Sequence, residues 1–225
     1  MPPALEKAFD AKKYESDIYA AWTASGFFNP DNLSGEPYAI MMPPPNVTGI
    51  LHPGHVLEQA LRDTMARYQR MQGKKVLLLP GTDHAAVATQ ARVEKMLIED
   101  RGIANPRQEL GREKLLAEIR AYAEQSKATI LHQIKKLGAS CDWSRLAYTF
   151  DEARSVAVNT MFKTMFDDGL IYRGYRTVNW SVKGQSTCSD DELEYVERLA
   201  KLYTFKYSAD FPIAVATTRP ETKLG

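Results

Sequence analysis

The sequence predicts an α/β protein: a parallel sheet preceded by an N-terminal helical extension and followed by the start of a β-rich domain. Two short apolar runs, 38–42 and 76–79, have the length and composition of buried strands. Between them, over 55–71, apolar residues recur every three or four positions, as in an amphipathic helix. This order predicts a βαβ unit with a right-handed crossover. Beyond Ser189 the long helical patterns stop, which indicates a change of domain.

The other elements follow from the same periodicities. Helical patterns cover four further segments: 4–25, 84–101, 107–137 and 151–168. Strand patterns cover three: 170–182 with a break around Gly174, 199–207 and 212–218. We therefore expect a helical extension over 1–36, a parallel-sheet domain over 37–192 and a second domain from 193 to 225. The last of these is too short to bury a core by itself.

Composition narrows the class of protein. Hydrophobic residues make up 44% of the 225 and charged residues 25%, as in soluble globular proteins. The net charge of +1 carries no overall signature of nucleic-acid binding. No apolar run approaches the ~18 residues of a membrane span, so we expect no membrane association. Cys141 and Cys188 lack the paired spacing of a zinc site, and so few thiols favour a reducing, cytoplasmic location.

The segment 43–55 concentrates the chemistry, because it holds two of the four histidines in a proline- and glycine-rich turn that opens a helix. A helix N-terminus offers free N–H groups and a positive dipole end, both suited to phosphate. His52 and His55 could donate hydrogen bonds to a phosphate as charge develops. Gly54 would let a nucleotide approach the backbone, and Pro53 suits a first helical turn. The alternative is that both histidines are surface or capping residues.

Two further clusters of polar residues follow apolar strands. In the segment 80–90, Asp83 could pair with an ammonium group, or it could be the N-cap of the helix that follows. In Thr217–Thr222, hydroxyls, a guanidinium and a carboxylate lie within six residues and could line a polar pocket. The alternative for this segment is an ordinary turn with a solvent-facing Arg–Glu pair.

These motifs together resemble the class I aminoacyl-tRNA synthetases. Pro-Pro-Pro-Asn-Val-Thr-Gly at 43–49, followed by His-Pro-Gly-His at 52–55, is similar to the family's first signature, the "HIGH" tetrapeptide. With Gly-Thr-Asp-His-Ala at 81–85, it resembles the members that act on valine. The segment 217–222 resembles the threonine-rich motif of the editing domain inserted into the valine, isoleucine and leucine enzymes. The resemblance covers almost the whole chain, with the motifs in the family's order.

The resemblance implies the first half of a Rossmann-like catalytic domain that uses ATP with Mg²⁺. His52 and His55 would contact the ATP phosphates, beside Gly54, while the carboxylate of valine attacks the α-phosphate. Pro43 and Asn46 would shape the aminoacyl pocket. By the same resemblance, the carboxylate of the second motif, Asp83, would hold the valine ammonium group.

The resemblance also implies the beginning of an editing domain that hydrolyses mischarged threonine. Its pocket residues would be Thr218, Arg219, Glu221 and Thr222. The partners implied are tRNA(Val), valine and ATP, in a protein that is a monomer at full length. Two positions depart from the family pattern: Pro53 in place of an aliphatic residue, and Ala86 in place of glycine.

Two other functions stay open from the sequence. The family's second signature, Lys-Met-Ser-Lys-Ser, does not occur in these 225 residues. The chain could therefore be a non-catalytic, truncated synthetase-like module that binds nucleotide. It could also be a different nucleotidyl transferase that shares the His-x-Gly-His motif, although such enzymes lack an editing motif. We expect the 225 residues alone to ligate weakly or not at all.

Overall fold

The computed structural model describes residues 8–224 and divides them into two compact units, the first ending at Leu170 and the second beginning at Ile171. The first unit contains five helices: α1 (Ala11–Ala24), α2 (Pro53–Met71), α3 (Ala86–Arg101), α4 (Pro106–Lys136) and α5 (Glu152–Asp167). Its four strands are β1 (Pro37–Met41), β2 (Lys75–Leu79), β3 (Gly81–Thr82) and β4 (Ala147–Tyr148).

The predicted βαβ unit is confirmed. Strands β1 and β2 pair in parallel from Pro37 opposite Lys75 to Met41 opposite Leu79, and α2 connects them. Strand β3 continues β2 beyond Pro80 and pairs in parallel with β4. The Leu79 carbonyl accepts from the Met42 amide at 3.2 Å, and the neighbouring Pro80 carbonyl accepts from the Ala147 amide at 3.2 Å. The continuous segment of β2 and β3 therefore lies between β1 and β4.

The core lies between this sheet and α4. Its buried members come from β2, α2, α4 and the segments that follow β1 and α4: Met42, Val47, Ala66, Val76, Leu78, Ile130, Ile134, Ala139 and Cys141. A second, smaller cluster packs α3 against α4 through Val93, Leu97 and Leu115. Both clusters use the face of α4 that its periodicity predicts, with Leu115, Ile130 and Ile134 buried.

Helix α2 packs with its polar face toward the protein. Asp63 accepts hydrogen bonds from the backbone and hydroxyl of Ser140, and Arg70 donates to the same residue. Arg67 donates to the Gly138 carbonyl at 2.7 Å. The apolar stripe that marks this helix in the sequence is instead exposed: Leu57, Leu61, Met65, Tyr68 and Met71. The helix is confirmed, and polar side chains tie it to the turn after α4.

Several predicted boundaries shift. Helix α1 begins at Ala11, preceded by Asp10, and the predicted start of that helix at residue 4 lies outside the described residues. Helix α4 is kinked at Gly111, where φ is +70°.

In the turn before β1, Gly35 has φ +115°, and a Cβ there would lie 2.2 Å from the Gly73 carbonyl oxygen. Only glycine allows these two turns to meet so closely.

The second unit consists of two antiparallel pairs, β5 (Asn179–Ser181) with β6 (Ser186–Cys188), and β7 (Tyr203–Phe205) with β8 (Val215–Thr217). The predicted strand over 170–182 is wrong for most of its length, since only β5 forms there. Residues 171–178 lack a described strand to pair with, and β propensity without a partner does not make a strand. The structure describes the burial of residues 171–223 in this unit, and every one of them is partly or fully exposed.

Candidate active site

The structure brings the first two motifs together at the carboxyl ends of paired parallel strands. Beyond β1 and β2, the Asp83 amide donates to the Pro45 carbonyl at 2.8 Å, and the Val47 amide donates to the Asp83 carbonyl at 2.8 Å. Asn46 and Asp83 therefore form a parallel β-bridge. Pro43 lies three residues before Asn46 on the same segment and is exposed. In open parallel sheets, ligands bind beyond the carboxyl ends of the strands, which is where these two motifs meet.

The Asp83 carboxylate is held by a residue that the sequence analysis did not single out. The Thr149 hydroxyl donates to Oδ1 of Asp83 at 2.7 Å. The Asp83 side chain keeps 32% of its surface exposed, so a small cation can reach it. The alternative role of Asp83 as a helix N-cap is wrong. Helix α3 starts only at Ala86, after Ala85 in a left-handed conformation, and has no side-chain cap.

Thr149 and His84 lie beside this carboxylate, and Phe150 packs on His84. Thr149 directly follows β4, and its amide donates to the Thr82 carbonyl at 3.1 Å. His84 approaches the Thr149 hydroxyl with its amide at 3.0 Å and with Nδ1 at 2.8 Å. Its ring stacks on Phe150 with centroids 4.9 Å apart. The only sequence signal for Thr149 is its place two residues before Asp151, the N-cap of α5.

His52 and His55 form a reciprocal capping box at the start of α2. Nδ1 of His52 accepts from the Gly54 amide at 3.1 Å, and Nδ1 of His55 accepts from the His52 amide at 3.2 Å. The two rings lie with centroids 3.8 Å apart. The capping interpretation is thus confirmed, and Pro53 occupies the first turn as predicted.

Capping determines which ring nitrogens carry protons. A neutral imidazole has one donor and one acceptor nitrogen, so accepting at Nδ1 places the proton on Nε2. His52 and His55 therefore each present an Nε2–H donor beside a helix N-terminus. Partial burial, and then the neighbouring His52, lower the pKa of His55, which keeps that ring neutral near pH 7. Capping and anion binding are compatible because they use different nitrogens.

The turn that carries these histidines is anchored to α4. The Tyr122 hydroxyl donates to the Thr48 carbonyl at 2.7 Å, and the Leu51 amide donates to Oε1 of Gln133 at 3.0 Å. At Gly54, a Cβ would lie 2.9 Å from Cε1 of His52. A larger residue at this position would therefore push the His52 ring out of its capping position.

The segment Thr217–Thr222 forms a local turn in the second unit. Thr217 Oγ1 accepts from the Arg219 amide at 3.1 Å, and the Thr222 hydroxyl donates to the Arg219 carbonyl at 2.8 Å. Arg219 and Glu221 form an ion pair at 3.1 Å with both side chains mostly exposed. A backbone amide and then Arg219 lower the pKa of Glu221. This geometry matches the solvent-facing turn that the sequence left open, and Thr218 lies within it.

Within residues 8–224, no cluster of three or more His, Cys, Asp or Glu side chains is arranged to hold a metal ion. The helices of that range also include none with the length and apolar character needed to cross a membrane.

Comparisons with known proteins give the family and the relatives that the chain resembles. Residues 17–207 match the family of tRNA synthetases class I (I, L, M and V). The valine–tRNA ligase of Protochlamydia amoebophila is 47% identical over 98% of this chain and 24% of its own length. That of Chlamydia trachomatis serovar A is 49% identical over 97% and 24%. The chain thus spans about a quarter of the length of these curated relatives.

A solved structure supports the fold. The LeuRS of Agrobacterium radiobacter K84, in a ternary complex with tRNA and LeuAMS, superposes with a TM-score of 0.67. It is 20% identical and covers 82% of this chain and 22% of its own, so the likeness concerns architecture alone. Taken with the family match over residues 17–207, these relatives identify the chain as a member of the class I tRNA synthetases.

Proposed function

We propose that this chain is part of an ATP-dependent ligase that activates valine as an adenylate and transfers it to tRNA(Val). The observation that carries the proposal is the bridge between Asn46 and Asp83. It joins, beyond the carboxyl ends of β1 and β2, the two motifs whose residues resemble those of the valine enzymes. The identity of 47–49% to valine–tRNA ligases supports the same assignment.

The residues present suit adenylate formation. In that step a valine carboxylate oxygen bonds to the α-phosphorus of ATP, and the bond to pyrophosphate breaks. The Nε2–H groups of His52 and His55 would donate to phosphate oxygens as negative charge builds. The Asp83 carboxylate would pair with the ammonium group, with Pro43 and Asn46 shaping the pocket beside it. Mg²⁺ usually binds through substrate phosphates and waters, so it would arrive with ATP, which supplies the group transferred.

We further propose that the segment around Arg219 begins an editing domain. An apolar pocket rejects an added hydroxyl poorly, and valine against threonine is an established example in these enzymes. Thr218, Arg219, Glu221 and Thr222 would contribute to a pocket that hydrolyses mischarged threonine. The associated assignments are a Rossmann-like domain over 37–192 after the extension 1–36, editing residues from 193 onward, a cytoplasmic location and a monomeric full-length enzyme.

The test is valine-dependent exchange of pyrophosphate into ATP by the full-length protein. We expect exchange with valine to exceed exchange with isoleucine, leucine or methionine, and threonine to support a weaker reaction. Exchange driven best by another amino acid contradicts the valine assignment. A full-length protein that binds ATP without any exchange favours the alternative of a non-catalytic nucleotide-binding module.

A further inference from the structure

We propose that Thr149 is a positioning residue for amino-acid binding, which sets the Asp83 carboxylate for the substrate ammonium group together with His84. The inference rests on the proposed function and adds Thr149, which lies outside both sequence motifs that define the site. It starts from one short contact, the 2.7 Å hydrogen bond from the Thr149 hydroxyl to Oδ1 of Asp83.

The direction of each hydrogen bond in this cluster follows from the number of protons. The Thr149 hydroxyl has one proton, and an ionised Asp83 carboxylate is an acceptor only, so that proton goes to Oδ1. The His84 amide is a donor and must donate to the Thr149 oxygen. With its proton committed to Asp83, that oxygen is also the acceptor for Nδ1 of His84, 2.8 Å away. His84 therefore carries a proton on Nδ1, the opposite arrangement to His52 and His55.

The cluster is held in place on both sides. The Thr149 amide bonds to the Thr82 carbonyl at 3.1 Å, which fixes it beside β3. Phe150 stacks on the His84 ring, and the Thr89 hydroxyl donates to the His84 carbonyl at 2.7 Å. The hydroxyl between them thus has little freedom to turn away from Asp83.

The consequence is a carboxylate with one occupied and one available oxygen. Oδ1 receives the Thr149 proton, and within residues 8–224 no hydrogen bond reaches Oδ2. An ammonium group bound at Oδ2 would meet a carboxylate whose rotation is already restricted. Less side-chain freedom then remains to be lost on binding, so the cluster favours substrates that carry an ammonium group.

The experiment compares Thr149→Val and Thr149→Ser in the full-length protein by valine-dependent ATP–pyrophosphate exchange. Valine has the shape of threonine without the hydroxyl, and serine keeps the hydroxyl. Thr164→Val is the matched control, since the Thr164 hydroxyl donates to the Thr160 carbonyl of its own helix α5 and to no other group in the described part of the chain. Thermal unfolding of each variant reports whether the fold is retained.

For Thr149→Val we expect KM for valine to rise about tenfold, the typical effect of a hydrogen bond to a charged group, with KM for ATP unchanged. Thr149→Ser should restore KM for valine to within about threefold of wild type. The inhibition constant of 2-hydroxyisovalerate, which has a hydroxyl in place of the ammonium group, should not change in Thr149→Val.

The inference is overturned if Thr149→Val leaves KM for valine at its wild-type value. It is also overturned if KM for valine, KM for ATP and the inhibition constant all rise together, since that indicates a general loss of structure. Failure of the proposed function is a separate outcome, because the wild-type protein would then show no valine-dependent exchange at all.

Discussion

Asp83 and Arg219 belong to two candidate pockets whose side chains are held in different ways. The bond that orients Asp83 comes from Thr149, 66 residues away and directly after β4. The bonds within Thr217–Thr222 join residues two or three positions apart, and the ion pair there is exposed. The first geometry depends on the packed sheet, whereas the second is that of an isolated turn. Substitutions should therefore have larger effects at the first site than at the second.

The largest effect is expected for Asp83→Asn in the full-length protein. The change removes the charge that would pair with the ammonium group, and kcat/KM for valine in the exchange reaction should fall on the order of 1,000-fold. KM for ATP should remain close to wild type. Asp100→Asn, at an exposed position of α3, is the control and should leave both constants unchanged. A loss of less than threefold for Asp83→Asn would falsify the ammonium assignment.

A second substitution separates the two roles of His52. In His52→Asn the amide oxygen can replace Nδ1 as acceptor of the Gly54 amide, and asparagine is a favourable N-cap. The donor at Nε2 is lost, so kcat for exchange should fall about 100-fold with little change in unfolding temperature. His132→Asn, on the exposed side of α4, is the matched control. If the fall in kcat is accompanied by a clear fall in unfolding temperature, the loss of activity follows from the loss of the cap, and His52 acts only as a cap.

These expectations reflect how much of the site the sequence could predict. Asn46 and Asp83 follow strands with clear apolar patterns, and the parallel-strand rule places the ends of such strands side by side. Thr149 escaped prediction because β4 has only two residues, too few to show alternation. Its partner Asp83 was separately misjudged as a possible N-cap, since the left-handed backbone at Ala85 delays the start of α3.

Local periodicity also predicted where the helices lie in the sequence better than it predicted which of their faces are covered. The spacing of apolar residues places α2 correctly, yet beside the buried Ala66 it is the polar side chains of Asp63, Arg67 and Arg70 that bond to the rest of the protein. A repeat shows that one face differs from the other. Which face is covered depends on neighbours that are distant in sequence, here the turn at 138–140.

The ionisation of Cys141, a buried thiol of the first unit, should have a smaller but measurable effect on stability. Burial raises the pKa of the Cys141 thiol from 9.0 to about 12. Between those values the unfolded chain loses a proton that the folded chain retains, so stability falls as pH rises. From about pH 8.5 to about pH 10 we expect the free energy of unfolding, measured by urea titration, to fall by about 1 kcal/mol from this thiol.

The comparison of variants assigns that loss. Cys141→Ala should be about 1 kcal/mol less sensitive to this pH change than the wild type. Cys188→Ala removes the more accessible thiol of the second unit and should keep the wild-type dependence. The same alkaline loss in both variants would show that Cys141 is not its source.

The smallest structural effect is expected at the exposed turn. Arg219→Ala breaks a solvent-exposed ion pair, so the free energy of unfolding should stay close to that of the wild type. Valine-dependent exchange should stay within about twofold of wild type, while tRNA(Val) charged with threonine accumulates in an aminoacylation assay. Arg198→Ala, exposed in the same unit, is the control. No accumulation with Arg219→Ala would remove Arg219 from the editing proposal.

The exposed stripe on α2 has a practical consequence for handling the protein. An exposed apolar strip runs along nearly the whole helix and consists of Leu57, Leu61, Met65, Tyr68 and Met71. When that strip is uncovered, copies of the chain would associate through it as their concentration rises. Replacing two of these side chains with glutamate is a direct route to soluble samples of these 225 residues, since none of the five contributes to the capping box or to the Asp83 cluster.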